Sequence, residues 1–194
     1  MTESSGKAYQ KVSFELTPFN KETNQDISIT GSVVLLSGEL HIQYTLHQAS
    51  HDTFSPVLWP PTKTKASRRD GIWQSTCMEL FISTPSMQRY WEYNFCPSGD
   101  WNIYQLNGYR SDLQAEPSCH QPSITQDSHA GGDELAIITQ LPPALIDQRE
   151  LILAITAVLE QRNGQLSYFA LQHGGSEADF HRRDGFQLRL QQPA

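Results

Sequence analysis

The sequence predicts an all-β protein, an antiparallel β-sandwich, and three observations carry that expectation. Apolar residues recur with period two, turn residues separate the apolar runs at short intervals, and little of the chain shows a helical stripe. The 194 residues include 12 Gly and 11 Pro, with 38% hydrophobic and 18% charged residues. That is a turn-rich globular composition, neither a disordered chain nor a helical bundle. One domain over residues 1–194 is expected, because domains typically span about 100–200 residues.

The elements follow in order. Ile27–Leu36 (ISITGSVVLL) and residues 39–46 (ELHIQYTL) flank Ser37-Gly38, a tight antiparallel turn. In the second of these strands Leu40, Ile42, Tyr44 and Leu46 share one face, opposite Glu39, His41, Gln43 and Thr45. Residues 75–83 (STCMELFIS) and 90–96 (YWEYNFC) are the next strands, and Pro97-Ser98-Gly99-Asp100 turns the chain into Trp101–Leu106. The Pro-, Ser- and His-containing stretch at 111–132 reads as a loop. Strands resume at 134–140 and 151–160. Asn163-Gly164 marks a hairpin into QLSYFALQ, and a last strand covers 185–190. Pro142-Pro143 precedes a short helical turn at 144–149. About nine or ten short strands of this kind indicate a sandwich or jelly roll.

Charge and composition exclude several classes. A net charge of −7 opposes nucleic-acid binding, which needs a basic stripe, and the cluster Lys63, Lys65, Arg68 and Arg69 is short and lacks interleaved aromatics. No apolar run is long enough to span a membrane, and the start MTESSGKAYQK lacks the apolar core of a signal peptide, so a cytoplasmic protein is expected. The three cysteines, Cys77, Cys96 and Cys119, have no CxxC spacing and read as reduced thiols in the core.

The candidate site lies in the middle third. All four tryptophans and four of the seven tyrosines fall between Trp59 and Tyr109. Alternation puts Met78, Leu80 and Ile82 on one face of their strand and Cys77, Glu79 and Phe81 on the other. On the following strand Trp91, Tyr93 and Phe95 oppose Tyr90, Glu92 and Asn94. With the apolar faces as core, Glu79, Glu92 and Asn94 share the opposite face among aromatics. Carboxylates and amides can bond adjacent sugar hydroxyls while an aromatic plane covers the C–H face of the ring. A solvated sheet face with ordinary cross-strand pairs is the other reading of the same pattern.

Three segments carry a resemblance: DGIWQSTCMELFI (residues 70–82), YWEYNFCPSGDW (90–101) and DFHRRDGF (179–186). Together they resemble the DOMON-like proteins related to family 9 carbohydrate-binding modules, over about residues 57–110 and 150–190. The resemblance implies a jelly-roll β-sandwich that holds a small sugar or sugar derivative on its concave face or rim. It also implies a tryptophan that stacks on the sugar and a glutamate six residues later, which Trp73 and Glu79 match. Glu92 and Asn94 would add polar contacts from the adjacent strand, Arg110 would pair with an acidic substituent, and Trp101 would either line the rim or sit in the core at a hairpin end. The family's second, late tryptophan has no counterpart after Trp101, where Tyr168 or Phe169 are the nearest aromatics.

Other chemistries stay open at this point. His173, Asp179 and His181, with Glu177, form a possible transition-metal set. Calcium is implied for some family members, but no spaced run of acidic ligands specifies it. Haem needs axial ligands, usually His with Met or a second His; beyond the start only Met78 and Met87 are available, with Met78 on the core face and His41 on a polar one. Glu79 and Glu92 also suit a glycosidase acid–base pair, although no GxSxG, HExxH or phosphate-loop motif occurs. The expectation is non-catalytic sugar binding without cofactor. Its rivals are a protein-interaction face on the same aromatics, a haem protein and a carboxylate-dependent glycosidase.

Overall fold

The computed structural model describes residues 10–48 and 57–192. Its strands are β1 (Lys11–Pro18), β2 (Ile27–Leu36), β3 (Glu39–Gln48), β4 (Cys77–Ser83), β5 (Tyr90–Phe95) and β6 (Trp101–Leu106). They continue as β7 (Gln114–Ala115), β8 (Ser123–His129), β9 (Gly132–Gln140), β10 (Glu150–Glu160), β11 (Leu166–Ala170) and β12 (Leu188–Gln191). One helical turn, α1 (Pro143–Ile146), precedes β10.

All strand pairs are antiparallel, and the fold is the predicted β-sandwich. One layer has the order β1-β2-β3-β9-β8, the other β7-β6-β5-β4-β10-β11, with β12 beside the first half of β10. The seam is β1, which pairs with β2 along most of its length and at Thr17 and Pro18 with β11.

Local sequence explains the joints. At the β2–β3 turn Ser37 and Gly38 both have positive φ, 51° and 84°, as a type I′ hairpin requires. The Asn163-Gly164 signal builds a longer turn than expected. Gln161 and Gln165 close it, Gly164 takes the left-handed conformation, and the Asn163 side chain accepts the Gln165 amide at 2.9 Å. Inside β2, Gly31 is required by close approach: a Cβ there would lie 2.1 Å from the Gln43 carbonyl and 2.4 Å from the Phe14 ring. The freed space seats Phe14 edge-on against Tyr44.

The inward faces are those the alternation predicts. Leu40, Ile42, Tyr44 and Leu46 meet Met78, Leu80, Ile82, Trp91, Tyr93 and Phe95 in one core. Burial of a side chain of this size contributes about 1.5–3 kcal/mol. The layers are also joined by a hydrogen bond, from the Tyr44 hydroxyl to the Glu79 carbonyl at 2.9 Å.

Several expectations are corrected. β8 lies within the stretch read as a loop, and β1 and the two-residue β7 were not anticipated. The helical turn spans Pro143–Ile146 rather than 144–149, and the last strand begins at Leu188, after a 3-10 turn at Arg183–Gly185. The outward face of β4 and β5 is no solvated sheet surface: every residue of both strands is buried. Phe81, Tyr90, Tyr104, Leu106, Ile152, Ala154 and Phe186 form a second, smaller apolar cluster there, with Trp73 and Phe180 packed against it.

Candidate functional site

Antiparallel register sets the floor of the site. Thr156, Glu79, Asn94 and Asn102 form one cross-strand row from β10 to β6. Ala154, Phe81, Glu92 and Tyr104 form the next. Glu79 and Glu92 are thus diagonal neighbours on one face, a relation that typically separates residues by roughly 7–8 Å.

Both carboxyls are nearly enclosed, with Glu79 3% and Glu92 5% exposed. Glu79 Oε2 accepts the Thr156 hydroxyl at 3.1 Å. Glu92 Oε1 accepts the Asn94 side-chain amide at 2.7 Å, whereas Glu92 Oε2 has no hydrogen-bond partner. Burial pushes the Glu79 carboxyl well above its ordinary value, and the Glu92 charge adds to the shift. Burial also raises Glu92, against the opposing pull of Asn94 and Arg110.

The segment after β11 brings in His181. Its Nε2 lies 3.9 Å from Glu92 Oε2, and its Nδ1 is 2.7 Å from the Tyr90 hydroxyl. The Tyr90 oxygen also faces the Arg110 amide at 3.3 Å, which leaves the phenol hydrogen for Nδ1 and assigns the imidazole proton to Nε2. Burial, assisted by Arg110, lowers the His181 pKa to about 4, so the ring is neutral near pH 7. Asp179 fastens this segment: it accepts from Tyr109 at 2.5 Å and from Arg110 at 3.0 Å.

Above this floor lies a cleft of about 490 Å³, within the usual range for small-molecule sites. Glu79, Phe81 and Glu92 line its base, and Trp73, Tyr168, Phe180, His181 and Arg110 line its walls. Trp73 is carried on a 3-10 turn, Ile72–Gln74, and its ring meets Tyr104 edge-on at 5.8 Å. Asp70 holds that turn to the sheet by accepting from Asn102 at 2.9 Å and Tyr104 at 2.6 Å.

The structure therefore brings Trp73, Glu79, Glu92 and Arg110 to one cleft. Arg110 reaches it already ion-paired with Asp179. Asn94 shares the face of Glu79 and Glu92 but is 0% exposed and not among the residues lining the cleft, and its side-chain amide donates to Glu92. Trp101 takes the core alternative and not the rim: it is 5% exposed, belongs to the main core on the opposite sheet face, and has the Arg68 guanidinium 4.9 Å from its ring centre.

The proposed metal set is likewise not brought together. His173 bonds the Thr17 carbonyl at 2.8 Å, Asp179 holds Tyr109 and Arg110, and His181 faces Tyr90 and Glu92. Among the described residues no group of three or more His, Cys, Asp or Glu side chains is arranged to hold a metal ion.

The basic cluster is structural, with Lys63 and Arg69 pairing with buried Asp100 and Arg68 reaching Asn102 and two carbonyls. The three cysteines are free and buried. Among the described residues no helix is long and apolar enough to cross a membrane.

Sequence reasoning missed Phe180 as a wall of the cleft and treated His181 only as a ligand to metal. Tyr168 was legible, because Phe169 enters the core and alternation turns its neighbour outward.

No protein-family model matches the chain, and no curated protein matches it. Among solved structures it is similar to a crystal structure from Bacteroides uniformis, described as "a putative carbohydrate-binding protein". The two share 12% identity with a TM-score of 0.62, over 93% of this chain and 85% of the other. At that identity the similarity is one of fold.

Proposed function

We propose that the chain binds a small carbohydrate in the cleft over β4 and β5, with Trp73 as stacking surface and Glu79 and Glu92 as hydrogen-bond acceptors. One observation carries this reading. Glu92 Oε2 is a buried oxygen without a partner at the wall of an aromatic-lined cavity. A buried acceptor left unpaired costs about 1–3 kcal/mol. A ligand hydroxyl donating to it would remove that cost, and the sugar C–H face would pack on the rings. The name of the structural neighbour supports the same ligand class.

A hydrolytic reading has the two carboxyls in its favour, since their diagonal spacing of roughly 7–8 Å falls within the range for a glycosidase pair. Burial raises both carboxyls, Glu79 with the Glu92 charge adding and Glu92 against the pull of Asn94 and Arg110. Binding is the reading adopted because the unpartnered Glu92 oxygen and the aromatic lining suit a held ligand.

Tryptophan-fluorescence titration against mono- and disaccharides, amino sugars and nucleotide sugars tests it. A saturable response is expected, weakened in Trp73→Ala by about 1–3 kcal/mol, the effect of losing one aromatic anchor. No response across the panel, or unchanged affinity in the variant, overturns the assignment.

A further inference from the structure

We propose that the group seated against Glu92 is a protonated amine, so that the cleft selects an amino sugar over a neutral one. This rests on the carbohydrate reading and adds the charge of the ligand to it.

The charges around the cleft carry the argument. Two glutamates line it, each more than nine-tenths buried, and Glu92 Oε2 is unpartnered. Arg110 is the sole arginine or lysine among the lining residues, and its guanidinium is 3.0 Å from Asp179, which matches its charge. The ring of His181, 3.9 Å from Glu92 Oε2, is neutral at pH 7 and supplies no countercharge. Arg110 therefore acts on Glu92 only as a charge shared with Asp179, and no lysine or second arginine lines the cleft.

A neutral hydroxyl supplies one donor and no charge, which leaves the buried carboxyls to neutralise themselves by keeping a proton. An ammonium group supplies three donors and the missing positive charge in the same volume. The walls suit the same group, because Trp73, Tyr168 and Phe180 present aromatic surface, and ring faces attract cations. The net charge of −7 gives the molecule a field that attracts a cationic ligand.

Calorimetric titration of the full chain with glucosamine, glucose and N-acetylglucosamine decides the matter, since the acetyl group removes the charge while keeping the ring. Glucosamine is expected to bind at least tenfold more tightly than either neutral sugar, and Glu92→Gln to abolish that preference. Equal affinities, or preference for a neutral sugar, overturn the cation and leave the carbohydrate reading standing. If no sugar binds but cyclohexylamine does, the cation stands and the carbohydrate reading falls. Silence from every probe overturns both. Glu79→Gln provides a second variant should Glu92→Gln fail to fold.

Discussion

Glu79, Glu92 and His181 pull the stability of the protein in opposite directions with pH. Burial raises both carboxyls above the ordinary value of 4.5, so the folded chain retains protons that the unfolded chain has released. Their contribution is full below pH 4.5 and is lost as pH rises through the raised values. His181 runs the other way. Its value falls from 6.5 to about 4 on folding, so its contribution is full above pH 6.5 and is lost as pH falls toward 4. Above pH 6.5 His181 no longer adds to the slope. Glu79→Gln is therefore expected to stabilise the fold by about 1–3 kcal/mol at pH 8 and by little at pH 4. Urea midpoints at the two pH values measure this, and equal shifts at both would contradict it. Glu79 and Glu92 could be found in the sequence because a strand's alternation reports which side chains share a face. His181 could be seen there only as a neighbour of Asp179, because its partners Tyr90 and Glu92 come from a distant strand that local spacing does not identify.

Between strands, the Tyr44 hydroxyl crosses the sandwich from β3 to the Glu79 carbonyl, fixing β4 directly behind its carboxyl. Tyr44→Phe keeps the ring and its packing on Phe14 while deleting that bond. A loss of about 1 kcal/mol is expected, with an unchanged denaturant slope because the surface buried is the same. A changed slope would mean that the layers separate without the bond. The hairpin strands β2, β3, β5 and β6 were legible because each combines period two with a turn of fixed chemistry. β8 was not, since its sequence SITQDSH carries one large apolar residue on an exposed edge, and pairing with β9 holds it. Nor was the cover over β4 and β5. Alternation separates the two faces of a strand but does not say whether loops will bury the second one.

At the scale of the whole molecule, the sandwich is assembled from parts that differ in how far along the chain their partners lie. The β2–β3 and β4–β5–β6 pairings close over short loops, whereas residues 179–186 return onto β4 and β5 from far downstream. Loop-closure entropy favours the former early and the latter late. Glu92→Gln at pH 8 is accordingly expected to slow unfolding while leaving the refolding rate unchanged, read from the two arms of a denaturant chevron. A faster refolding arm would place the cover in the nucleus instead. The enclosure of Glu92 beside His181 then belongs to the final docking of the returning segment. During synthesis the Glu92 carboxyl would stand hydrated and ionised until Phe180, His181 and Phe186 leave the ribosome, so the last structure to form is also what gives the cleft its chemistry.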